Sequence, residues 1–301
     1  MRFPLLRLPL ALLFIVPVFI GQAAVWGLAK RFGKVPVALL SVAIACLLGW
    51  AAYALYTRWV EKRPADELRG PGALKELGAG LAFGAVLFSS VIAVLALLGV
   101  YRITGLRSDL SVMVIPLCVS LAAAAIEEIL MRGVVFRLLE ASLGTWIAMA
   151  ISAAIFGAGH LANPNASALA AVAIAIEAGV LLAAAYLLTR RLWFAIGIHA
   201  AWNFTQSGIY GLPTSGIPMN GIFVSSVAGP EWLTGGAFGV EASAVAFGLA
   251  SAAGVVLLVI AGRRGRFIAP FWRRRGEGAP PVAATARSPA ISGPAAAPSD
   301  P

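Results

Sequence analysis

The sequence predicts an all-α, polytopic membrane protein with about eight transmembrane helices around a polar intramembrane cavity. Three observations predict it. Hydrophobic residues make up 60% of the 301 positions and charged residues only 12%. With a mean hydropathy of +0.89, that balance is too apolar for a soluble domain. Apolar runs long enough to cross a bilayer recur along most of the chain, each needing about 20 residues. Finally, the few polar side chains inside those runs include both of the histidines.

The runs lie at 8–28, 36–57, 78–100, 111–131, 146–162, 168–188, 192–210 and 240–262. Pro9 and Pro17 predict a kink in the first. Arg2 and Arg7 before an apolar core, with Gly21-Gln22-Ala23-Ala24 after it, also fit a signal peptide. The apolar character continues through Val25-Trp26-Gly27-Leu28, which favours an uncleaved helix. Eight spans with both termini inside place 18 of the 23 Lys and Arg residues on the cytoplasmic side, the bias that orients membrane proteins. The expected location is a bacterial cytoplasmic membrane. The net charge of +10 does not point to nucleic acid, because the charges sit at the ends of apolar runs and in the tail. Cys46 and Cys118 lie inside apolar runs and read as small buried hydrophobes.

Three segments separate or follow the spans. Residues 58–77 read as a charged linker, with Trp59 at the interface and part of the chain along the membrane surface. Residues 205–239 read as a long, nearly uncharged outer loop rich in Gly and Pro. Residues 263–301 begin with arginines suited to anionic lipid and become a Pro/Ala-rich tail expected to be disordered. The resulting division is 1–60, a two-helix segment; 61–262, the main membrane domain; and 263–301, the cytoplasmic tail.

The chemistry concentrates in a few positions. Glu127 and Glu128 are adjacent in the fourth run, with Arg132 beyond them. Neighbouring helical residues point about 100° apart, so the two acids serve different purposes. Glu128 and Arg132 are spaced i, i+4 and form an expected structural pair. His160 closes Phe156-Gly157-Ala158-Gly159-His160, and His199 opens His199-Ala200-Ala201-Trp202-Asn203. Each histidine shares a helix face with the residue four positions away, Phe156 or Asn203. Glu177 lies mid-span in the sixth run and stands second to these. Phe156 and Trp202 read most simply as packing residues. Charged and polar groups at membrane depth usually turn toward a cavity or each other, so one shared site is expected.

A carboxylate beside a histidine can take a proton from water and return it to a leaving amine. A second imidazole and an amide can donate to an oxyanion. The same set, Glu127, His160 and His199, also fits a divalent metal such as zinc with water in its fourth position. Both a metal-bound water and a carboxylate-activated water suit these residues. A relay for a proton-coupled transporter uses the same groups, but no internal repeat supports it. By the run boundaries, Glu127 falls near the inner end of its span and His160 near the outer end of its own. A common depth requires the fourth helix to continue inward to about Leu139, or the fifth to tilt or start later.

The three motifs Glu-Glu-x-x-x-Arg, Phe-x-x-x-His and His-x-x-x-Asn, on successive spans, resemble the CPBP intramembrane protease family, which includes the type II CAAX prenyl endopeptidases and the ABI domain. Supporting stretches are Arg63-Pro64 with Glu67-Leu68, Leu192–Gly197, and Leu233-Thr234-Gly235-Gly236. The resemblance spans roughly residues 60–262. It implies an intramembrane peptidase with a cavity open to the cytoplasm and a peptide or membrane-associated protein as substrate. Glu127 and His160 would activate water, His199 and Asn203 would form the oxyanion site, and Glu128 and Arg132 would brace the motif helix. Members of the family that serve in immunity or as scaffolds make a non-catalytic membrane protein the alternative.

Overall fold

A computed structural model describes residues 4–274. Continuous helical runs, wide and tight turns included, give α1 (Pro4–Phe32), α2 (Lys34–Glu61), α3 (Ala73–Leu97), α4 (Leu110–Leu143), α5 (Thr145–Ala162) and α6 (Ala168–Thr189). They are followed by α7 (Trp193–Phe204) and α8 (Ala244–Arg263). All but α7 are long and apolar enough to cross a membrane. α7 continues into a π turn, Thr205–Ile209, yet still falls short of the usual span. Its flanks are covered by neighbouring helices, so its length is not dictated by lipid. Many leucines and valines on α1–α3 and α8 are exposed, among them Leu13, Leu47, Val86 and Val256. Such apolar surfaces suit a hydrocarbon solvent, in which helices satisfy their own backbone groups.

Small residues set the packing around the site. On α3, a side chain added at Gly80 would come within 2.3 Å of the Phe194 carbonyl, and one at Gly84 within 2.4 Å of the Ile198 carbonyl. Gly197 of α7 meets the Leu77 carbonyl in the same way, at 2.5 Å. The α3 and α7 backbones therefore touch, as small residues at i, i+4 allow in membranes. α5 and α6 approach as closely: a side chain at Gly157 would lie 2.3 Å from the Ala171 carbonyl. α6 and α8 are started by Ser167 and Ser243, whose side chains accept from Ala170 N and Ala246 N. A left-handed Gly144, φ 80°, turns α4 into α5.

The structure changes several expected boundaries. α4 does not stop at 131 but runs to Leu143, through the π segment Ile129–Phe136. The charges that suggested an end are buried in pairs: Arg132 with Glu128, Arg137 with Glu61, and Glu140 with Arg190. Glu127 thus stands about as far before Leu143 as His160 stands beyond Thr145, and the expected mismatch in depth disappears. α3 starts earlier than 78, at Ala73, and α8 later than 240, at Ala244.

The 58–77 segment is also not a simple surface linker. Glu61 and Glu67 are buried against Arg63 and Arg137, with N–O distances from 2.5 to 3.4 Å, and Tyr56 donates to Glu61 Oε1 at 2.7 Å. The 205–239 segment is largely folded. It contributes strand β2 (Phe223–Val227), which pairs antiparallel with β1 (Tyr101–Leu106). It also contributes a one-turn helix, Glu231–Thr234. After α8 the chain returns to the α4–α5 turn, where Thr145 N donates to the Ile268 carbonyl at 2.9 Å. The Pro/Ala-rich stretch from residue 275 and Arg2 lie outside the described residues.

Candidate active site

α4 presents the two acids in different directions. Glu128 is fully buried, and its Oε1 accepts from Arg132 Nη1 and from His199 Nδ1, both at 2.9 Å. The expected pair with Arg132 is present, but it is one arm of a larger arrangement. Arg132 Nη2 also donates to the carbonyls of Ala178 and Gly179, at 3.1 and 3.2 Å, within the π turn Ala175–Val180 of α6. Its guanidinium lies 4.8 Å from the centre of the Phe156 ring, a cation–π contact. Phe156 therefore does more than fill space: its ring centre stands 4.7 Å from that of His160 and 6.2 Å from that of His199. Arg132 thus ties α4, α5 and α6 behind the two imidazoles.

The proton positions on those imidazoles follow from their partners. His160 Nδ1 lies 2.8 Å from the Phe156 carbonyl. A carbonyl only accepts, so Nδ1 carries the hydrogen, and in the neutral imidazole the lone pair is then on Nε2. His199 directs Nδ1–H to Glu128 and Nε2 toward Glu127 Oε2, 3.9 Å away. At that distance the last contact is electrostatic, not a hydrogen bond.

A cavity of about 40 Å³ lies among His160, His199, Asn203, Glu177, Phe156 and Trp202. It holds about two or three water molecules. Glu127 does not line it. This half-buried acid borders a neighbouring hollow of about 120 Å³ with Phe19, Gln22 and Trp26 of α1. The structure therefore brings Glu128, Arg132, Phe156, His160, His199, Asn203 and Glu177 around one cavity or directly behind it, and leaves Glu127 beside a neighbouring space, 3.9 Å from His199 Nε2.

Glu241 was not anticipated. It is 2% exposed, lines the same cavity together with Ser215, and its Oε1 accepts from Ser215 N at 2.5 Å. Burial pushes its carboxyl up to about 7 from the ordinary 4.5, against the hydrogen bond from Ser215, which favours the charged form. A usable signal existed: Glu231 and Glu241 are the only acids between residues 205 and 262, and Glu241 stands at the mouth of an apolar run.

No three His, Cys, Asp or Glu side chains converge as metal ligands among the described residues. The set Glu127, His160 and His199 does not fit a metal in this arrangement, because Glu127 and His160 border different spaces.

Fold and site together define an integral membrane protein with a buried Glu–His–Asn constellation between its helices. Residues 109–205 match the family described as type II CAAX prenyl endopeptidase Rce1-like. The matched stretch is α4 to α7 and contains all three motifs. It supports an endopeptidase kind of function. A search of curated proteins and a search of solved structures each found no match.

Proposed function

We propose that the chain is an intramembrane endopeptidase that cuts a peptide or membrane-associated protein with a water molecule activated by Glu127 and His160, which substrate binding brings to one space. The Nε2 lone pair of His160 accepts the water proton as oxygen attacks the scissile carbonyl carbon. His199, held by Glu128 at one nitrogen and facing Glu127 with the other, presents Nε2–H together with the Asn203 amide to the oxyanion. The C–N bond then breaks, and the proton passes to the departing amine. Both termini and the opening of the cavity face the cytoplasm in this reading.

The observation that carries it is the relay Arg132–Glu128–His199. A buried carboxylate that fixes an imidazole by Nδ1 leaves the other nitrogen aimed at the reacting centre. That arrangement suits catalysis better than packing. The cavity is too small for a peptide, so substrate binding widens it, consistent with helices that meet through glycines instead of interlocked side chains.

A second reading, a non-catalytic immunity or scaffold protein, is favoured by one observation: Glu127 and His160 border different spaces. Purified wild type, Glu127→Ala and His160→Ala, each shown to be folded by its melting curve, separate the two. The endopeptidase reading expects cleavage of a peptide library by wild type and loss of at least about a thousandfold in each variant. Retained cleavage in either variant overturns the assignment. If wild type cuts nothing and both variants keep the cellular phenotype, the scaffold reading stands.

A further inference from the structure

We propose that Glu177 and Glu241 form a cation subsite that receives a lysine side chain of the substrate beside the scissile bond. The proposal rests on the endopeptidase reading above and names a substrate feature for it. Glu177 comes from α6 inside the matched stretch, and Glu241 from the turn before α8, outside it. Both are 2% exposed and both line the cavity that holds His160, His199 and Asn203. They are close enough for their charges to interact.

Among the described residues, the one cationic group facing these acids is the His199 imidazole, itself held by Glu128. No Lys or Arg lines the cavity. Arg132, behind Ala178, is already bonded to Glu128 and to two backbone carbonyls. Glu177 Oε2 is buried without a hydrogen-bond partner. Glu241 Oε1 has only backbone and side-chain donors around it, the Ser215 N–H among them. Burying two carboxylates without a counter-charge of their own is costly, and an arriving cation relieves that cost.

The remaining wall selects the kind of cation. Ile174, Leu181, Leu182 and Ala250 make one side of the cavity apolar. A divalent metal needs three or more converging ligands, which are not found among the described residues. A lysine side chain satisfies both halves of the lining: its four-carbon stem lies along the aliphatic wall and its ammonium reaches the two carboxylates. It also displaces the few waters that the cavity admits.

The test uses the full chain in lipid nanodiscs and pairs of peptides that differ only by lysine or norleucine, scanned through positions flanking the scissile bond. At one position lysine is expected to raise kcat/KM by about tenfold or more, and Glu177→Gln or Glu241→Gln to bring that ratio close to one. n-Butylammonium should inhibit cleavage of the norleucine peptide by wild type, while n-butanol should not; this arm needs no variant to fold. A ratio near one at every position, a ratio that survives both substitutions, or equal inhibition by butanol overturns the subsite. If wild type cuts no peptide, the endopeptidase reading is overturned instead. The subsite is then decided by whether butylammonium, and not butanol, raises the melting temperature of wild type.

Discussion

At the scale of single residues, Glu128 joins Arg132 to the His199 imidazole. One oxygen takes a hydrogen bond from Arg132 and another from His199. Removing its charge leaves a buried guanidinium uncompensated and frees the imidazole to turn. Breaking a buried pair from one side typically costs about 3–5 kcal/mol. Glu128→Gln is therefore expected to lower the melting temperature in detergent and to abolish cleavage together. The amide keeps the shape, so loss of packing does not account for the effect. If Glu128→Gln melts with wild type, the buried pair is not what fixes α4 against α6. The role of Glu128 toward Arg132 was legible from the i, i+4 spacing alone. Its bond to His199 was not, because the two residues lie on different helices and nothing local encodes their approach.

At the scale of elements, α3 packs backbone against backbone on α7. Gly80, Gly84 and Gly197 bring the backbones together, and α7 carries His199 and Asn203. Gly80→Ala or Gly197→Ala drives a methyl group into a backbone carbonyl, which cannot rotate away. Overpacking of this kind costs about 1–3 kcal/mol, and it shifts α7 relative to α4. Either variant is expected to melt earlier and to lose most cleavage. Gly78→Ala, on the same helix with nothing within 4 Å of the added atom, is the matched control and should melt at or slightly above wild type. Equal melting of all three would show that α3 and α7 are not in contact. The sequence displayed the apolar runs but misplaced their ends. Hydropathy counts Arg132, Arg137 and Glu140 as interruptions, while the fold pairs each one and lets α4 continue to Leu143. Likewise β2 was hidden in a Gly- and Pro-rich stretch, because its partner β1 lies more than a hundred residues away.

At the scale of the whole molecule, the segment between α7 and α8 forms part of the cavity wall. Ser215 and Glu241 belong to it, and the Gly216 N–H donates to the Phe238 carbonyl at 2.7 Å to hold its two limbs together. Its folding onto the cavity buries Glu241, so the global stability of the chain is linked to that carboxyl. The folded pKa of about 7 stands above the ordinary 4.5, which means that the folded state holds this proton more tightly than the unfolded state. The stability Glu241 contributes is therefore fully present below pH about 4.5, declines as pH rises toward 7, and is gone above it. The difference is on the order of 3 kcal/mol. Melting curves in detergent across this window should fall more steeply for wild type than for Glu241→Gln, whose amide does not titrate. Glu177 and His199 face the same cavity and interact with this charge, so the difference between the curves reports Glu241 together with its coupling to them. Parallel curves would mean that the carboxyl stays charged in the folded chain and that the segment lining the cavity leaves it open to water.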